Sequence, residues 1–187
     1  MFLLSSPEGS LYYGPPYFLR LIPMTSSEFK PLMESLGLTP QWLADHSGFD
    51  LQTVQRWESG ELPIPEDVEK MLVDFNQNIE TIVAHAVEAF AEVTRDLGDE
   101  SNKVILIRYR TDDDLWHFRP DTRPNPASSY SAMLWRMHQA LEMRGIASVI
   151  GTMEPEDYFA WLGDQLDTEE MRANWITSKD EEPAESD

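Results

Sequence analysis

The 187-residue chain contains no cysteine, which excludes a disulfide framework, a thiolate metal site and a cysteine nucleophile. Cations are scarce too: 14 lysines and arginines face 34 aspartates and glutamates, for a net charge of −20. The chain therefore lacks the broad basic footprint with which nucleic-acid binders usually neutralise phosphates. Four histidines (His46, His85, His117 and His138) stand far apart, without the H-E-x-x-H spacing that suits zinc. No apolar run approaches the roughly eighteen residues of a transmembrane helix. There is no glycine-rich phosphate loop, no G-x-S-x-G and no histidine beside a plausible nucleophile. The expectation is a cytoplasmic protein of bacterial type that is not an enzyme and has no catalytic residue, metal, cofactor or membrane partner.

What is present is organised around Thr39–Gly60, TPQWLADHSGFDLQTVQRWESG. Thr39 can cap a first helix, with Pro40 at the position where a missing N–H costs nothing. Leu43 and Ala44 face inward, and Gly48 closes the helix in a left-handed conformation. Asp50 caps a second helix, Leu51–Ser59, which Gly60 ends. Val54 and Trp57 give that helix one buried stripe, while Gln52, Thr53, Gln55 and Arg56 lie on or beside its open face. This is the skeleton of a helix-turn-helix, whose second helix reads the DNA major groove.

The marks T-x-x-x-L-A-x-x-x-G (Thr39–Gly48) and T-V-x-R-W-E-x-G (Thr53–Gly60) resemble the helix-turn-helix of the lambda-repressor/Cro superfamily, also called the xenobiotic-response-element type. The resemblance implies binding to double-stranded DNA. Gln52 and Arg56 share a face, and glutamine can pair bidentately with adenine and arginine with guanine. Thr53 and Gln55 flank them, and Gln41 stands where it can reach a phosphate. Against this, Met24–Glu80 carries only Lys30, Arg56 and Lys70 against eleven acids, a net of −8. Affinity must then come from base contacts, backbone N–H groups and dimerisation.

The rest of the chain divides by pattern. Residues 1–23 form an apolar start that lacks a charged leader and is broken by Pro and Gly, a poor signal peptide. It is expected to be an upstream extension, with the natural start at Met24; an N-terminal arm packed on the fold is the alternative. Thr25-x-x-Glu28 is a capping box for a helix through Leu36. Residues 24–97 form the helix-turn-helix domain, ending in a long segment, Glu66–Leu97, without Gly or Pro. There Val68, Leu72, Phe75, Ile79, Ile82, Ala86, Ala89 and Val93 make a heptad-like seam. It reads as a dimer contact or as two ordinary helices broken at Asn76–Asn78. Residues 98–177 form a small α/β unit for dimerisation or sensing. Its parts are a strand at Lys103–Arg110, a short helix at Asp112–Phe118, a helix at Ser129–Arg144 and a second strand at Ile146–Gly151, together βαβ-like and parallel. Two more helices follow, the last opened by a capping box Asp167-x-x-Glu170 and running from Thr168 to Thr177. Residues 178–187 form an acidic tail expected to be disordered. Lys103, Arg108, Arg110, Arg119 and Arg123 cluster among aromatics, but Asp112, Asp113, Asp114 and Asp121 leave a net of only +1, so ion pairing is their expected use.

The fold class expected is thus mainly α: a lambda-repressor-like helical head, a long linking helix and a small two-strand, βαβ-like tail. R-Y-R-T-D-x-D-L-W at Arg108–Trp116 and L-W-R-M-H-Q-A-L at Leu134–Leu141 are similar to the tail of a little-characterised bacterial family of regulators with this layout. That likeness implies a dimeric repressor, and a helix-turn-helix dimer is expected to meet half-sites about one turn apart on a pseudo-palindromic operator. Two alternatives remain: a helix-turn-helix used for protein–protein contact, antitoxin-like or as an adaptor, which the acidity favours; or a ligand-sensing regulator.

Overall fold

The computed structural model describes residues 23–97 and 103–181. All of the expected 1–23 extension but Pro23, the linker residues 98–102 and residues 182–187 of the acidic tail lie outside the described residues. The protein is mainly helical, with a small two-stranded parallel sheet in its C-terminal part.

Helix α1 (Ser26–Ser35) opens as the capping box predicts, the Thr25 N–H donating to Glu28 Oε2 at 2.9 Å. Helices α2 (Pro40–Ser47) and α3 (Leu51–Ser59) match the expected pair. They close on Gly48 (φ 78°) and Gly60 (φ 77°), where a side chain would strain the backbone. Helix α4 (Glu66–Leu97) is one unbroken helix of 32 residues, about 48 Å long. The break considered at Asn76 does not occur; the Asn76 side chain instead donates to Glu80 and accepts from Arg136.

Strand β1 (Val104–Arg108) pairs in parallel with β2 (Ser148–Thr152), Val104 opposite Ser148 and Arg108 opposite Thr152. Between them come α5 (Asp112–Phe118), a 3-10 turn (Pro120–Thr122) and α6 (Ala127–Met143). Helix α6 covers one face of the sheet and also packs along α4, while α8 (Glu169–Glu181) contacts β1. Helix α7 (Pro155–Leu162) leads into α8 and closes at Gly163.

Three expectations need correction. Helix α6 begins at Ala127 rather than Ser129, because the Asp112 carboxylate, fifteen residues upstream, accepts the Ala127 N–H at 2.7 Å and acts as a cap supplied from α5. Asp167 does not cap the last helix. Thr168 does, its Oγ1 accepting from the Met171 N–H, while Asp167 takes a Tyr158 hydroxyl and Arg172. That helix runs to Glu181, four residues past the expected end. The α4 seam, finally, is not one continuous stripe. Val68, Leu72 and Ile79 are buried within the chain together with Val83 and Val87, which the heptad reading passed over, whereas Ile82 and Val93 are exposed.

One core runs through head and tail. Phe29, Leu43, Val54 and Trp57 of the head are continuous with Leu72 and Val83 of α4, and these with Leu106, Leu134 and Leu141 of the tail. The junction is close. A Cβ on Gly37 would stand 2.4 Å from the Ser128 carbonyl oxygen, and the Ser128 hydroxyl donates to the Gly37 carbonyl. Arg136 of α6 adds hydrogen bonds to Asn76 and to the Ser35 carbonyl. A second core, behind the sheet, gathers Tyr109, Leu115, Phe118, Tyr158 and Trp175.

Candidate nucleic-acid interface

Helix α3 is held from below by two side chains. Val54 is fully buried, and Trp57 lies edge-on to both Phe29 (6.3 Å between ring centroids) and Phe49 (4.9 Å). Its N-terminus is fixed by Asp50, whose carboxylate accepts the Thr53 N–H and the Thr53 hydroxyl, both at 2.9 Å. Those bonds from Thr53 hold the Asp50 carboxyl below its ordinary pKa. The cap thus favours the ionised form, which also suits the positive end of the helix dipole.

With that anchoring, Gln52, Gln55 and Arg56 are all exposed on the outer side of α3. Four-residue spacing puts Gln52 and Arg56 one above the other on the helix surface. Thr53 is half-buried and its hydroxyl is committed to Asp50. Gln41, exposed at the start of α2, donates its amide to Asp45 Oδ1 at 2.8 Å. The structure therefore brings Gln52, Gln55 and Arg56 onto one open face, sets Gln41 on the neighbouring helix, and turns Thr53 toward a capping role.

Sequence reasoning missed the partner of Arg56. Past the left-handed turn at Gly60 the chain folds back, and Glu61 Oε2 accepts from Arg56 Nε at 3.3 Å. Both side chains are about half exposed or more, so the pair is loose and screened by solvent. The signal was available only indirectly: an acid directly after a helix-ending glycine lies near the last turn of that helix.

Three of the five cations in the basic cluster of the tail have partners within the chain. Arg110 is paired to Glu154, Arg119 contacts Asp121 and Glu169, and the Arg123 guanidinium lies 5.0 Å over the Trp116 ring. Among the described residues no group of three or more His, Asp or Glu side chains is placed to hold a metal ion, and no helix is long and apolar enough to cross a membrane.

Residues 24–144, from the start of the described head to the end of α6, match the family model described as Aca2/YdiL-like. The chain belongs to the Aca2/YdiL-like family. That family contains helix-turn-helix regulators and antitoxins, in keeping with the α2–α3 geometry. Comparison with curated proteins finds no significant match. The family match ends before β2, so β2, α7 and α8 lie past the matched region.

Proposed function

We propose that the protein is a sequence-specific DNA-binding regulator, a repressor that acts as a homodimer with one α3 in each of two major-groove half-sites of a pseudo-palindromic operator. The observation that carries this reading is the outer face of α3. Gln52, Gln55 and Arg56 are exposed there on a helix fixed at both ends and buried along its other side. Gln52 and Arg56 read base edges, each worth roughly 1–3 kcal/mol of discrimination. Gln55 and Gln41 contact the flanking bases or phosphates, and Thr53 serves mainly through the cap. Because the head is acidic, two copies are needed to reach useful affinity, which makes the dimer part of the proposal. We expect Arg56→Ala to abolish retardation of the protein's own promoter fragment while sedimentation still shows the wild-type oligomer. Absence of any sequence-dependent retardation by the wild type at low salt overturns the reading.

A second reading has one observation in its favour. The head is strongly acidic, and even the single arginine of α3 sits against Glu61. A helix-turn-helix used to bind a basic protein partner would carry that charge naturally. Salt-sensitive capture of a basic partner by a protein that fails the retardation assay would support it.

A further inference from the structure

A groove of about 280 Å³ opens between α4, β1, α6 and α8. This is slightly below the ~300–1,000 Å³ usual for small-molecule sites, enough for a small ligand only. One wall is the stripe Ile82, Ala86 and Phe90 of α4, of which Ile82 and Ala86 belong to the heptad-like pattern of the sequence. Ile105 of β1, Met133 of α6 and Ala173 of α8 also line it. Its polar lining is a cluster of Tyr109, Tyr130, Arg119 and Arg172, in which the two tyrosine rings lie 5.9 Å apart and both arginines act on Tyr109.

The two arginines differ. Arg172 is held firmly, donating Nε at 2.8 Å and Nη2 at 2.6 Å to Asp167 and Nη1 to the Phe118 carbonyl. Arg119 is held loosely. Its contacts to Asp121 and Glu169 are all 3.4 Å, and those two carboxylates are 67% and 79% exposed. A carboxylate arriving from the groove can take their place, because both acids can turn into water at little cost. Glu169 also lines the groove and has to swing aside for this exchange. Burial pushes the Tyr109 phenol up to about 12 and the Tyr130 phenol in the same direction. Both hydroxyls therefore stay protonated near neutral pH and remain able to donate to an anion.

We infer that this groove is a binding site for a small organic carboxylate with an apolar body, its chain against Ile82, Phe90 and Met133 and its carboxylate at Arg119 between the two tyrosines. The α8 wall comes from the part of the chain past the family match, so the completed site is a feature of this chain's C-terminal segment. The inference does not depend on DNA binding, and it can fail or stand separately from the proposed function.

The test uses the full chain labelled at methionine methyls, titrated with sodium octanoate below its micellar concentration and with 1-octanol as the uncharged twin. We expect saturable shifts at the Met133 and Met137 methyls, which line the groove, and none at Met24, buried in the head. Arg119→Gln should weaken octanoate about tenfold, the loss of one charged hydrogen bond, and leave octanol unchanged. Ala173→Phe, which fills the groove from α8, should remove the shifts with both. The site is overturned if octanoate produces no saturable shift at Met133 and Met137, or if octanoate and octanol respond alike to Arg119→Gln. Should Arg119→Gln alter the spectrum of the free protein, Ala173→Phe decides: octanoate shifts that survive it overturn the site.

Discussion

The outer face of α3 and the Asp167–Arg172 cluster of the tail are both built around an arginine and a carboxylate, and they use them in opposite ways. In the tail, Arg172 is 12% exposed and makes two charge-assisted bonds to Asp167, which also accepts the Tyr158 hydroxyl at 2.6 Å. Its guanidinium lies 4.9 Å over the Phe118 ring, so one face is covered and each of its three nitrogens makes a hydrogen bond. On α3, Arg56 has one 3.3 Å contact to an exposed glutamate. A satisfied, partly buried pair fixes structure, because breaking it strands a charge. An exposed and loosely made pair fixes little and leaves the guanidinium available to a partner. The same two residue types thus mark a joint in one region and a candidate reading head in the other.

The junction between the two regions offers the largest expected effect. Gly37 sits at φ 66° with its missing Cβ aimed at the Ser128 backbone. Gly37→Ala combines left-handed strain with a backbone clash, together about 2–4 kcal/mol. Urea unfolding should show the loss as a lower midpoint. Hydrogen exchange should show the protection of α6 falling together with that of α1, since Ser128 and Arg136 tie the two. A midpoint unchanged from wild type would mean that head and tail do not depend on this contact.

Removing the tail joint should cost less. Arg172→Ala leaves Asp167 part-buried with only the Tyr158 hydroxyl, for a loss of about 2 kcal/mol, below the ~3–5 of a fully buried pair because Asp167 keeps 29% exposure. The pair also predicts a pH dependence. The hydrogen bond from Arg172 holds the Asp167 carboxyl below its ordinary 3.8. A carboxylate depressed in the folded state adds stability above its unfolded pKa and loses it as pH falls through the folded value. Wild type should therefore lose stability on acidification below 3.8 more steeply than Arg172→Ala, with the two curves converging at the acid end. Parallel curves would show that Asp167 is not held by this arginine.

The contrast between the two regions also explains what the sequence could reveal. The head is written in local code: Thr39, Pro40 and Gly48 bound α2, and Asp50 and Gly60 bound α3, each acting within a few residues of its own position. The tail is written in longer-range contacts. Asp112 starts α6 from another helix, and Asp167 abandons the cap that its spacing suggests because Tyr158 and Arg172 offer it a better site. Along α4 the periodicity shows that the helix has an apolar side, but not that head, sheet and groove each take a different part of it. The exposed residues Gln52, Gln55 and Arg56 could be picked out because a polar residue opposite Val54 and Trp57 has nowhere to go but solvent. The groove could not be seen, since its lining comes from α4, β1, α6 and α8 and from the segment just after α5.

The smallest effect tests the comparison from the side of α3. If Arg56 is available because Glu61 holds it weakly, then Glu61→Gln should change stability little, as is usual for an exposed ion pair. Under the proposed function, its consequence belongs to DNA. Removing the acid lifts a competing contact and a repulsive charge beside the phosphates, so affinity for the promoter fragment should rise about two- to fivefold at low salt, the range of an exposed pair. The gain should fade as salt is raised, because screening shortens the reach of both charges. Arg56→Ala in the same background should erase it at every salt concentration, since the arginine is the group being released. An affinity unchanged by Glu61→Gln, measured by fluorescence anisotropy across a salt series, would place Arg56 with Arg172 as a structural arginine. A gain that survives Arg56→Ala would assign the effect to net charge alone.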